Sequence, residues 1–148
     1  MSARRIYVAM MVFAVMLADV GISQADQAFT PRSIRGTWGF SVAGTLRGAP
    51  AVTVGLITFD GVGECVPSAQ LNVGGTVTPL TSLQCSYTVN PDGTGAVNVT
   101  FVGPVGPFIV DFVIVDAKKE ILIIVSDRFG GGGTVASGVA KRQEPGDR

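Results

Sequence analysis

Histidine, the side chain most often used for proton transfer and metal binding, does not occur among the 148 residues of this chain. Its absence excludes His-based triads, imidazole general bases and imidazole metal sites. The two cysteines, Cys65 and Cys85, lie far apart in sequence, whereas thiol redox pairs favour the close Cys-x-x-Cys spacing. A structural disulfide is the expectation, and no metal site or cofactor is expected. What remains for chemistry is carboxylates, hydroxyls, tyrosine and a few arginines. Asp111 is the one acid inside an apolar run, "FIVDFVIV", and shares parity with Ile109, Val113 and Val115. If that face points inward, burial would raise its pKa and make it a candidate acid or base. If it points outward, it is an ordinary solvated side chain, and buried unpaired carboxylates are rare. Trp38, Phe40 and Tyr87 are candidate ligand-stacking residues, with core or plug positions as the competing reading. Glu64 and Arg47 are weaker polar candidates at strand ends.

Two glycine-bearing segments could hold a ligand through their backbone. In "YTVNPDGTGAV", residues 87–97, Asn90-Pro91-Asp92-Gly93-Thr94-Gly95 could cradle a phosphate or cation. A phosphate loop needs a helix behind it, and "AVNVTFV" has the pattern of a strand. An EF-hand needs several spaced oxygen ligands and a closing Glu, which are missing. Pro91 and Gly93 instead suit a turn: proline presets φ, and glycine accepts the left-handed conformation. "RFGGGGTV" lacks the Lys-Ser/Thr of a nucleotide loop. Gly130–Gly133 are expected to form a flexible connection before the last strand that could cover an open end of the fold. Asn98-Val99-Thr100 fits a glycosylation sequon.

The elements that must position these residues begin after a leader. Arg4-Arg5, an apolar run from Ile6 to Leu17 and Ser23-Gln24-Ala25 have the layout of a secretory signal peptide. Residues 1–25 are expected to be cleaved, leaving 26–33 as an N-terminal extension, 34–143 as one β-domain and 144–148 as a tail. The apolar run is ~12 residues where a bilayer core takes ~20, so no stable membrane span is expected. The expected location is periplasmic or extracellular, an oxidising setting in which paired thiols persist. Without the leader the charges nearly cancel, which gives no electrostatic pull toward nucleic acid.

Past Ala25 the apolar period is two rather than 3.6. Eight runs of β-branched and aromatic residues are separated by Gly, Pro, Asn and Asp. In the first, Trp38, Phe40, Val42 and Leu46 share a face. Asp60-Gly61 and the polar stretch "VDAKKE" read as hairpin reversals. If a hairpin turns at Gly74-Gly75, Cys65 and Cys85 face each other or sit one register step apart. Eight antiparallel strands escape the edge problem by closing strand eight onto strand one. The expected fold is therefore all-β, a single closed antiparallel barrel of about eight strands, with a β-sandwich as the alternative. An outer-membrane barrel would need strands of ~9–11 residues, an apolar outer band and aromatic girdles.

The phrases "GTWGFS", "VGLITFDGVGE", "SYTVNPDGTG" and "VASGVAKRQ" resemble a group of small exported bacterial proteins of unknown function. The resemblance covers most of residues 34–143 and implies a calycin-like or allene-oxide-cyclase-like barrel, with no catalytic residues to carry over. Three functions fit: a barrel that binds a small apolar or amphipathic ligand, a structural or surface-interaction protein with a filled core, and a cyclase or isomerase of the allene-oxide-cyclase type. A catalytic role is disfavoured because no acid–base pair can be named. A pocket of ~300 Å³ or more would admit a ligand, whereas a filled interior would leave only the interaction role.

Overall fold

The computed structural model describes residues 28–103, 106–126 and 133–144. The signal peptide expected at 1–25, most of the proposed glycine cover and the last four residues lie outside them. Eight strands follow one another: β1 Gly36–Leu46, β2 Ala49–Phe59, β3 Cys65–Val73, β4 Thr76–Val89, β5 Thr94–Phe101, β6 Pro107–Asp116, β7 Glu120–Ser126 and β8 Val135–Arg142. Each pairs antiparallel with the next, and β8 returns to β1 from Trp38↔Arg142 to Thr45↔Val135. The sheet is a closed barrel, not a sandwich. Closure satisfies both edges, as the strand count requires.

Alternation decides what fills the interior. On β1, Trp38 and Val42 are buried and Phe40 is half-buried; on β5, Val97, Val99 and Phe101 are buried. Where strands coil tightly, the wall leaves no room for a side chain. A Cβ on Gly138 would collide with the Ser41 carbonyl of β1, so glycine there permits the close approach of β8.

The outer surface has two different sides. From β6 round to β2 it carries Val113, Leu122, Ile124, Val52, Val54 and Leu56, all exposed. From β3 to β5 it carries Ser68, Gln70, Asn72, Thr81, Gln84 and Asn98, also exposed. Val66, Val77 and Leu83 stand exposed among them, so apolar and polar side chains mix on that side. No helix among the described residues is long and apolar enough to cross a membrane.

The β-domain expected from residue 34 opens not on a strand but on a 3-10 turn, Pro31–Ile34, with β1 starting at Gly36. Pro31 presets the first turn position, the Thr30 carbonyl accepts from the Ser33 amide at 2.9 Å, and Ser33 Oγ accepts from the Thr30 amide at 3.1 Å. The turn lays Ile34 across one end of the barrel, fully buried.

Candidate functional site

One end of the barrel is closed by a network built from chain segments far apart in sequence. Trp38 is fully buried and donates its indole N–H to the Ile34 carbonyl at 2.8 Å. The Arg142 guanidinium lies 4.8 Å from the centre of the Trp38 ring, a cation–π placement. It also donates to the carbonyls of Arg35 at 2.6 Å, Ala117 at 3.1 Å and Ser33 at 3.4 Å. The N-terminal turn, the β6–β7 loop and β8 are thereby tied together.

Tyr87 belongs to the same end. Its ring is buried and meets Phe59 edge-on, with centroids 4.7 Å apart. Its hydroxyl accepts from the Gly61 amide at 2.9 Å and directs its proton toward the Pro31 carbonyl at 3.2 Å, with Asp60 Oδ1 at 3.5 Å. Burial, reinforced by the Asp60 charge, pushes the phenol above its ordinary pKa. Asp60 Oδ1 accepts the amides of Val62, Gly63 and Glu64 at 2.8–3.0 Å. The Val62 bond foremost, with the others, holds the carboxyl below its usual range against a smaller opposing desolvation.

The disulfide Cys65–Cys85 staples the wall beside this network, with Cα atoms 5.0 Å apart. The β3–β4 ladder stops at Ser68↔Thr81, where Pro67 has no N–H to offer. Pairing resumes only at the isolated bridge Glu64↔Ser86. The bulge between Ser82 and Gln84 supplies the extra residue that sets Cys85 opposite Cys65. The bond thus closes a seam that backbone pairing leaves open.

Above the plug lies a cavity of about 140 Å³ inside the barrel. Phe40, Phe101, Phe108 and Phe112 line it from three strands, with Ile57 and Ile121 among the aliphatic contributors. Thr45, Thr53 and Thr134 are its polar lining residues, and no ionisable side chain is present in the lining. The cavity reaches toward the β1–β2 and β7–β8 connections, where Gly133 is tied down: its carbonyl accepts from Thr45 Oγ1 at 3.1 Å and from the Gly48 amide at 3.0 Å.

A second pocket, of about 200 Å³, lies on the outer side of β4, β5 and β6. It is lined by Gln84 and Ser86 of β4, Asn98 and Thr100 of β5, and Pro107 and Ile109 of β6. Val99 and Phe108 contribute to both linings, and the paired strands β4, β5 and β6 separate the two spaces.

The residues singled out from the sequence disperse around this architecture. Phe40 lines the cavity. Trp38 and Tyr87 build the plug below it. Asp111 stands on the outer face of β6, opposite Ala96 and Ile124, because Phe108, Val110 and Phe112 take the inward parity. The inward-facing acid considered from sequence therefore has no counterpart in the lumen. Glu64 and Arg47 are exposed, at opposite ends of β2. Asn90–Gly95 is a self-satisfied turn: Asp92 Oδ1 accepts from Thr94 Oγ1 at 2.7 Å and from its amide at 3.0 Å, and the Asn90 side-chain amide donates to Thr94 Oγ1 at 2.9 Å. Those bonds, the side-chain one first, lower the Asp92 pKa. Phe29 packs over Gly93, where a Cβ would meet its ring at 2.9 Å. No phosphate cradle remains. Among the described residues no group of acids or cysteines could hold a metal ion.

Sequence reasoning missed Phe101, Phe108 and Phe112 as cavity residues. The signal was available for β6: a charge at one parity of "FIVDFVIV" argues that the aromatic parity is the inner one.

No family model matches the chain. No curated protein matches it. Among solved structures, EF1p2_mFAP2b bound to DFHBI is similar, with 15% identity over 76% of this chain and 98% of that one and a TM-score of 0.49. So remote a likeness carries no argument about ligand or chemistry.

Proposed function

We propose that this protein is an exported binding barrel that holds a small apolar group in its lumen, and that it is not an enzyme. The carrying observation is the apolar cavity above the plug. A volume of about 140 Å³ falls short of the ~300 Å³ at which drug-sized ligands are accommodated. It equals in scale an engineered ~150 Å³ apolar cavity that stays dry and takes benzene. The ligand group is therefore of that size: an aromatic ring or a short aliphatic stub. A filled-core interaction protein would not keep such a space, since interiors ordinarily pack at crystal density. A cyclase would need polar groups at the reacting centre, and the lining supplies only threonine hydroxyls. Export is supported by the leader-like N-terminus and by the disulfide, and the barrel shape fits the group of small exported bacterial proteins that the sequence resembles.

Thermal denaturation with toluene as probe tests this reading. A ligand that binds only the folded state raises Tm in a saturable way. Ala51→Phe, which fills the half-buried mouth of the cavity, should abolish that rise without lowering the starting Tm. A flat Tm in the wild type, or an equal rise in Ala51→Phe, would remove the lumen as a binding site.

A further inference from the structure

The hydroxyls that line the lumen, on Thr45, Thr53 and Thr134, are not in the same state. Thr45 Oγ1 donates its proton to the Gly133 carbonyl at 3.1 Å, and Thr134 Oγ1 accepts from the Arg47 amide at 3.4 Å. Both are thus engaged in the β1–β2 and β7–β8 connections at the mouth. Thr53 lies farther along β2, where it pairs with Val42 on one side and Leu71 on the other. Both neighbours are buried and apolar. Among the described residues, the Thr53 hydroxyl has no hydrogen-bond partner in the protein.

A lone hydroxyl facing an apolar lumen calls for a physical reason, since polar groups withdrawn from bulk water are ordinarily paired. Valine has nearly the same shape and would pack beside Val42 and Leu71 with no polar atom to satisfy. Water is a poor partner here. A water inside a protein is held by ~2–4 polar groups, and the lining offers Thr53 alone once Thr45 and Thr134 are engaged. An apolar molecule that carries an oxygen of its own fills the space and satisfies the hydroxyl at once.

We propose that Thr53 is the polar anchor of the lumen, and that the ligand is a ring-sized apolar molecule bearing one neutral oxygen, as a phenol does. This rests on the lumen-binding reading and deepens it by naming the polar contact. A threonine hydroxyl both donates and accepts, so it can receive a phenolic proton. The oxygen must be neutral because no ionisable side chain lines the cavity, and an unpaired charge is costly to bury. The ring lies among Phe40, Phe101, Phe108 and Phe112, in a space of benzene scale.

Phenol differs from toluene by O–H in place of CH₃, and threonine differs from valine in the same way. A cycle of these two ligands on wild type and Thr53→Val therefore isolates the contact. Isothermal titration calorimetry on the full chain near neutral pH, where a phenol keeps its proton, reads all four affinities. Thr53→Val should weaken phenol and leave toluene unchanged or tighter. The phenol-to-toluene affinity ratio should fall roughly five- to tenfold, the scale of one neutral hydrogen bond. Without ligand, the Tm of Thr53→Val should equal or exceed that of wild type, because no internal hydrogen bond is lost. Benzoate, a charged ring of similar width, should bind much more weakly than phenol. If toluene binds but phenol does not, if the ratio is the same in both proteins, if the ligand-free Tm of the variant falls, or if benzoate matches phenol, the anchor is wrong and the lumen reading survives. If toluene does not bind, both fall.

Discussion

Asp60 commits one carboxylate oxygen to three backbone amides at the closed end, so its ionisation is coupled to folding. Its folded pKa lies below the ordinary value of 3.8. A depressed folded pKa contributes stability that is fully present above the unfolded value and disappears as pH falls through the folded one. Tm should therefore drop below about pH 4, where carboxylates begin to take up protons. In Asp60→Asn the same descent should be shallower, with Asp92, also lowered, supplying part of the remaining slope. Superimposable Tm–pH curves for the two proteins would show that Asp60 is not coupled. Arg47 gives a prediction of the opposite sign. It has φ of 51° in the β1–β2 turn, the single described non-glycine residue with positive φ, and it precedes Gly48 at φ 82°. Asparagine tolerates that conformation better and Asn-Gly suits such a turn, so Arg47→Asn should raise stability by about 0.5–1 kcal/mol in urea unfolding. At this scale the sequence was only partly legible. It told that Asp92 and Gly93 make a turn, because their conformational preferences are local. It did not tell that Tyr87 would bond to Gly61 and Pro31, since those partners meet only once the barrel has formed.

The strands themselves were legible because period-two alternation is local and punctuated: the run "EILIIVS" coincides with β7, and the others differ from their strands by a few residues at the ends. The bulge was not legible, because its place depends on two ladders at once. Register alone from the Gly74-Gly75 turn would pair Cys65 with Gln84; the extra residue on β4 corrects this. Deleting Leu83 should accordingly be tolerated. It leaves Ser82↔Phe101 and Gln84↔Thr100 as consecutive pairs, and Cys85 still faces inward. The disulfide should form, detectable as a mass unchanged by thiol alkylation. Deleting Gln70 instead turns the later β3 residues to the wrong face and should prevent folding. Replacing both cysteines by serine should cost about 3 kcal/mol in chemical denaturation, from a closed loop of ~20 residues in the chain-entropy model. The cost should fall on the seam at Pro67, seen as faster amide exchange at Glu64–Val66. A loss confined to the remote β7–β8 hairpin would contradict the staple reading.

Closure of the whole barrel rests on contacts between the two ends of the described chain. A strand count of eight foretells that β8 must return to β1, but counting cannot reveal which side chain secures the join. That residue is Arg142. Its partners Ser33 and Arg35 precede it by 109 and 107 positions, and it covers Trp38 as well. Arg142→Leu would leave three carbonyls at the closed end without their charged donor, costing about 3 kcal/mol. Arg142→Lys is the sharper experiment. Lysine keeps the charge but lacks the planar fork that reaches separated carbonyls while lying flat on an indole. If the fork matters, lysine should recover less than half of the lost stability. Amide exchange should then quicken at Ile34–Trp38 and at Ala117, the segments that the guanidinium joins, while the β4–β5 core keeps its protection. Full rescue by lysine would mean that charge alone closes the end. The volume above the plug would then owe nothing to the geometry of this residue.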